Sequence, residues 1–258
     1  MQITAVVRAP ERAGPGGPWR LVAPPLLVAL AFATTIAAGL AIRGTPALVA
    51  LNTRVFHLVN GLACGATPET PLYRLMWTGF NQTATNYVVL YAVITAYVLV
   101  RRPAQLPRLL FVGLVVAGVG ALSNPVIWHW AWGERPFAVT DACILYPQYE
   151  PQWASYSSFV SGHARETAAE ITVLVTFWRR AWPLGLLYVA LLGFSRVYIG
   201  VHFPLDVVCG TLLGWAIARI AFFAYDVYVA PLLGRRAGRW LPGRPGGGDA
   251  IPLPGVPS

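Results

Sequence analysis

The stretch S-R-V-Y-I-G-V-H-F-P-L-D, Ser195 to Asp206, sets a serine, an arginine, a histidine and an aspartate in an otherwise apolar region. Upstream, Ser161-Gly162-His163 opens a second apolar run, and Arg135 follows a third. Two arginines present guanidinium forks that match phosphate oxygens in pairs. A helix beginning at Ser161-Gly162 turns its unpaired N–H groups toward an anion, and the glycine admits close backbone approach. Two histidines divide the rest of a phosphoryl transfer: one attacks phosphorus as a neutral imidazole, the other protonates the departing oxygen. Asp206 lies four residues after His202, with Pro204 suited to the first turn of a helix. That spacing makes Asp206 the expected acceptor of the His202 ring N–H, which fixes the tautomer. No carboxylate cluster points to a metal and no cofactor is implied, so phosphoryl charge is balanced by arginine.

These groups need a scaffold that brings the ends of several apolar runs to one level. Of 258 residues, 56% are hydrophobic and 11% charged, against about a quarter charged in soluble domains. Six apolar runs approach the roughly 20 helical residues that cross a hydrocarbon core: Leu21 to Ile42, Gly79 to Val100, Leu109 to Trp132, Ser161 to Trp178, Pro183 to Ile199 and Pro204 to Tyr225. The expected fold is therefore all-α, a polytopic integral membrane protein with six transmembrane helices. Two amphipathic, turn-punctuated stretches after the first span, Ala47 to Leu62 and Leu72 to Phe80, are expected at the interface. Residues 1–19 form an N-terminal tail, 20–230 the membrane domain, and 231–258 a basic, Gly/Pro-rich tail of disordered composition.

All nineteen basic residues are arginine. They cluster between apolar runs, which argues for orientation in a membrane rather than for nucleic acid. Three precede the first run, three lie at 101–108, two at 179–180 and four in the C-terminal tail, all on one side if both termini are cytoplasmic. Arg135, Ser161, His163, Ser195, Arg196, His202 and Asp206 then share one depth at the outer ends of the spans. Ionisable groups at such depth usually face a bundle interior or wet cavity. Cys64 and Cys143 both fall on that outer side, where oxidation to a disulfide is open to them.

The three segments resemble the type 2 phosphatidic acid phosphatase superfamily, which includes bacterial undecaprenyl pyrophosphate phosphatases. The family's motifs are K-x6-R-P, P-S-G-H and S-R-x5-H-x3-D. The third is complete here as Ser195, Arg196, His202 and Asp206; the second reads Val160-Ser161-Gly162-His163; the first keeps Arg135-Pro136. The family's lysine falls at Trp128, and the chain has no lysine. The resemblance implies a phosphohistidine formed on His202, with His163 as general acid and Asp206 orienting His202. It implies that Arg135, Arg196, Ser161, Ser195 and the Gly162 amide hold phosphoryl oxygens. Arg165, two residues past His163, is a candidate to reach the phosphate in the lysine's place. The implied activity is a metal-independent lipid phosphatase on the outer face of the cell membrane. Its partners are membrane lipids and a lipid phosphate or diphosphate, undecaprenyl diphosphate first, phosphatidic acid or phosphatidylglycerol phosphate next. The missing lysine leaves open transfer to an alcohol acceptor, or a non-catalytic lipid-binding role.

Overall fold

The computed structural model describes residues 19–67, 69–80, 83–144 and 156–233. Most of the N-terminal tail, residues 234–258 of the C-terminal tail and the arginines these carry lie outside the described residues, so the expectations for them are not addressed. The six apolar runs form six long helices: α1 (Trp19–Gly44), α4 (Thr83–Arg101), α5 (Leu106–Ala131), α7 (Gly162–Phe177), α8 (Trp182–Tyr198) and α9 (Pro204–Ala224). Between α1 and α4 the amphipathic stretches form α2 (Pro46–Asn60) and the short α3 (Pro71–Arg74), each continued by a tighter or wider turn. A four-residue α6 (Pro136–Val139) follows α5. Proline stands at the first turn of α2, α3, α5, α6, α8 and α9, where its missing N–H has no intrahelical partner to lose.

Among the described residues, four helical stretches are long and apolar enough to cross a membrane: Arg20–Gly44, Pro103–Val139, Arg179–Tyr198 and Pro204–Leu233. In α4 only Val88–Arg101 is continuously apolar. Helix α7 is the exception with a physical reason. It carries His163, Arg165, Glu166 and Glu170, yet it packs against α4, α5, α8 and α9, so its polar face meets protein instead of lipid.

The closest packing is between α7 and α9. Gly210 and Gly214, four residues apart on α9, lie against the α7 backbone: a Cβ on Gly210 would come within 2.5 Å of the Ser161 carbonyl oxygen, and one on Gly214 would overlap the Arg165 carbonyl oxygen. Such a small-xxx-small stripe lets helix backbones approach where apolar burial alone gives no preference over lipid. It brings the start of α7 beside the start of α9, and a backbone bond from the Ser161 N–H to the Asp206 carbonyl (3.1 Å) locks the two ends.

At the same end, a disulfide joins Cys64 to Cys143, with Cα atoms 5.1 Å apart. Beside it, buried Asn60 donates to the carbonyls of Cys143 and Tyr198 (both 2.9 Å) and accepts the Cys143 N–H at 2.8 Å. Asn52 accepts the Leu205 N–H at 3.0 Å, satisfying one of the open donors at the start of α9. Helix α2 is thus tied to both halves of the α8–α9 corner.

Candidate active site

The α8–α9 corner turns on Gly200, whose φ of +83° is open to glycine and strained for other residues. That turn carries the chain back so that His202 faces inward, 5% exposed. Its Nδ1 lies 2.8 Å from the Ser158 carbonyl oxygen. A carbonyl can only accept, so Nδ1 bears the proton and Nε2 carries the lone pair. Burial, reinforced by the positive charges of Arg135 and Arg196 and by His163, holds the His202 pKa well below the ordinary 6.5. A neutral imidazole with a free Nε2 is a nucleophile at neutral pH.

Asp206 does not make the contact expected of it. Its Oδ2 is 3.9 Å from His202 Nδ1, beyond hydrogen-bond reach. The same oxygen accepts from the Ser158 hydroxyl (2.6 Å) and from the Phe203 N–H (2.9 Å). As the third residue of α9, Asp206 is drawn to the helix N-terminus, where a carboxylate satisfies an open donor and complements the dipole. Ser158 is therefore the hinge of the site: its carbonyl meets His202 and its hydroxyl meets Asp206. Sequence reasoning missed it, because Ser158 lies outside the motifs and its contacting group toward His202 is backbone.

Arg135 donates to the carbonyls of Val201 (2.8 Å) and Tyr156 (3.2 Å), which pins the residue before His202. Arg196, 2% exposed, sits in the last turn of α8. His163 is in the first turn of α7, and Ser161 precedes it, fully buried, its hydroxyl without a hydrogen-bond partner among the described residues. The Gly162 N–H belongs to the open donors of the same helix start. Arg135, Arg196 and His163 lie near enough for their charge to act on the His202 ring.

Two others have bonds to partners of their own. The Ser195 hydroxyl donates to the Leu192 carbonyl at 2.8 Å within α8, the usual back-bond of a mid-helix serine. The Arg165 guanidinium lies along the α5–α7 seam, donating to Ser123 (2.5 Å), to Asn124 and to Glu166 (2.6 Å). His163 and Arg165 are two positions apart and so point to different helix faces. Trp128, at the lysine position, packs its ring 5.5 Å from Tyr156 and 6.4 Å from Trp132. Its buried indole N–H has no acceptor among the described residues.

Arg43, at the end of α1, is a further cation that sequence reasoning passed over as a span anchor. It lines a cavity of about 360 Å³ together with Asn52, Thr140, Phe159, Phe203 and Asp206. The cavity reaches the carboxylate behind His202. Among the described residues no group of three or more acidic, histidine or cysteine side chains has the arrangement of a metal site.

Residues 108–228 match the family model of the PAP2 superfamily. An undecaprenyl-diphosphatase of Sulfolobus acidocaldarius is 36% identical over 124 residues, 47% of this chain and 56% of that protein. Undecaprenyl-diphosphatase BcrC of Bacillus subtilis is 28% identical over 186 residues, 71% of this chain and 88% of that protein. Phosphatidylglycerophosphatase B of Bacillus subtilis is 33% identical over 112 residues, 39% of this chain and 50% of that protein. The chain thus spans little more than half the length of the archaeal relative it matches. The crystal structure of a transmembrane PAP2-type phosphatidylglycerolphosphate phosphatase from Bacillus subtilis superposes with a TM-score of 0.54 at 22% identity, over 82% of this chain and 98% of that one. That likeness is one of fold.

Proposed function

From the match of residues 108–228 to the PAP2 superfamily model, we propose that this chain is a membrane lipid phosphatase that acts through a phosphohistidine, with undecaprenyl diphosphate as substrate. The observation that carries the reading is the buried, neutral His202, its Nδ1 proton committed to the Ser158 carbonyl and its Nε2 unencumbered. Nε2 attacks phosphorus in line with the ester or anhydride oxygen. The P–N bond forms as the P–O bond breaks, and His163 gives its proton to the leaving oxygen. Arg135, Arg196, the Ser161 hydroxyl and the Gly162 N–H hold the equatorial oxygens, where charge builds in the transition state. Water then attacks the phosphohistidine, His163 takes its proton, and inorganic phosphate leaves with the N–P electron pair returned to His202. Asp206 acts on this sequence through Ser158, holding the loop against the ring and lending its charge to the imidazolium that forms.

The proposed topology is six spans with both termini cytoplasmic and the site on the outer face, supported by the arginine distribution. Two relatives named undecaprenyl-diphosphatase support the diphosphate substrate. Similarity to phosphatidylglycerophosphatase B supports phosphatidylglycerol phosphate as the second reading. The test is phosphate release by purified protein in detergent with EDTA present, comparing undecaprenyl diphosphate, phosphatidylglycerol phosphate and phosphatidic acid. Release that persists in EDTA, is fastest on the prenyl diphosphate and is lost in His202→Ala is the expected result. Folded protein that releases phosphate from none of them, with or without an added alcohol acceptor, overturns the enzyme reading.

A further inference from the structure

The far end of α7 carries a second concentration of arginine that the reaction does not use. Arg101 ends α4 and Arg102 follows it, Arg179 and Arg180 form the turn between α7 and α8, and Arg219 projects from α9. All five are exposed at the rim of one basin of about 1370 Å³. Among the described residues no Asp or Glu lines it, and the hydrogen bonds and ion pairs of those residues leave the five guanidinium groups without a partner. Guanidinium stays charged at any relevant pH, so five unpaired positive charges repel one another unless an anion lies among them. Aromatic rings floor the basin: Tyr97 and Trp178 stack at 5.6 Å, nearly parallel.

The basin does not end in protein. Trp178 and Arg180 also border a mostly apolar groove of about 460 Å³ between α4, α7 and α8, lined by Val89, Val93, Leu174, Leu184 and Tyr188, with the buried Glu170 as its one acid among the described residues. Val93 and Leu184, on its outer wall, are exposed on the lipid-facing side of their helices. A cationic basin adjoining an apolar groove across Trp178 and Arg180 has the two-part shape of a lipid, head among arginines and chain along the helices. The 16 residues of α7 separate this place from His163 by about 24 Å at 1.5 Å per residue, so it is not the substrate end of the catalytic site.

We infer that this basin and groove bind an anionic phospholipid whose head carries two or more negative charges, in the leaflet opposite the catalytic residues. Basic pockets between helices recognise such heads through paired guanidinium–phosphate bonds. One bound lipid also bridges α4, α7, α8 and α9, the helices that frame the catalytic residues.

The experiment is native mass spectrometry of the full chain in a zwitterionic detergent. The probes are diphosphatidylglycerol (two phosphates in one head), phosphatidylcholine, and inorganic pyrophosphate as the head without a chain. Wild type retains diphosphatidylglycerol in preference to phosphatidylcholine. Arg179→Gln/Arg180→Gln weakens retention roughly 30-fold, the effect of two surface arginines, and Arg101→Gln/Arg102→Gln does the same should the first pair assemble poorly. Val93→Trp fills the groove and lowers lipid retention while leaving pyrophosphate binding alone. Phosphate release in lipid-free detergent is unchanged in all three variants, so loss of the lipid is read apart from the catalytic proposal. Equal retention of both lipids, or retention indifferent to the arginine pairs, overturns the inference and leaves the arginines as orientation charges only. Pyrophosphate bound as tightly as diphosphatidylglycerol, with Val93→Trp silent, overturns it in favour of a soluble anion.

Discussion

Ser158→Ala tests the site most directly, because it removes the short bond to Asp206 and a long 3.5 Å contact with His202 Nδ1 while leaving the carbonyl that holds His202. The Ser158 hydroxyl meets Asp206 Oδ2 at 2.6 Å, a short bond to a charged acceptor. Bonds of that class contribute about 1.5–3 kcal/mol. Asp206 keeps its Phe203 N–H, and His202 keeps its tautomer through the Ser158 carbonyl. If the whole contribution bears on the transition state, kcat/KM falls between about 10-fold and 150-fold at 1.4 kcal/mol per decade. It does not approach the roughly 10⁴-fold loss that follows when an imidazole is left in the wrong tautomer. Asp206→Asn removes the charge from the same bond, so the double variant should cost little more than Asp206→Asn alone. The assay is steady-state phosphate release, with the thermal midpoint of each variant checking that the fold persists. Additive losses, or a Ser158→Ala enzyme within threefold of wild type, refute the account in which Asp206 acts through Ser158.

Replacing Gly214 by leucine puts side-chain atoms where the Arg165 carbonyl already lies; the α7–α9 contact opens, and size-exclusion profiles in detergent show loss of the monodisperse species, whereas an unchanged profile contradicts the close packing. Protonated His202 has no lone pair to attack with, and burial with Arg135 and Arg196 lowers its pKa, so the acid limb of kcat/KM lies below 6.5. Removing a cation in Arg196→Gln makes protonation easier and moves that limb to higher pH; a shift to lower pH contradicts the electrostatic account. Trp128→Phe keeps the ring against Tyr156 and Trp132 and deletes the unpartnered N–H; an indole that donates to phosphate shows as a severalfold rise in KM, and one that only packs leaves KM unchanged. Cys64→Ser opens the bridge to Cys143 and should reduce stability by about 2–4 kcal/mol, seen as a lower thermal midpoint that reductant reproduces in wild type and not in the variant.

Much of this molecule was legible in the chain itself. Apolar runs between arginines located the six long helices to within a few residues, because lipid and tight helix packing both demand length and apolarity of a segment. Residue chemistry and spacing pointed to His202, His163, Arg135 and Arg196 as one candidate constellation, since ionisable groups at one depth of an apolar bundle must find each other or water. The chain could not say what Asp206 bonds to. Its spacing from His202 is right for a contact, but an aspartate in the first turn of a helix is equally right for a cap, and only the packed corner decides that the cap wins. Nor could it assign Ser158, whose part depends on a backbone carbonyl that no motif encodes, or Ser195 and Arg165, whose side chains take the nearer partners offered by their own and neighbouring helices. Side-chain identity and period are properties of the string. Which of several possible partners a polar group takes is settled by distance in three dimensions, and that distance exists only once Gly210, Gly214 and Gly200 have let the helices and the turn close.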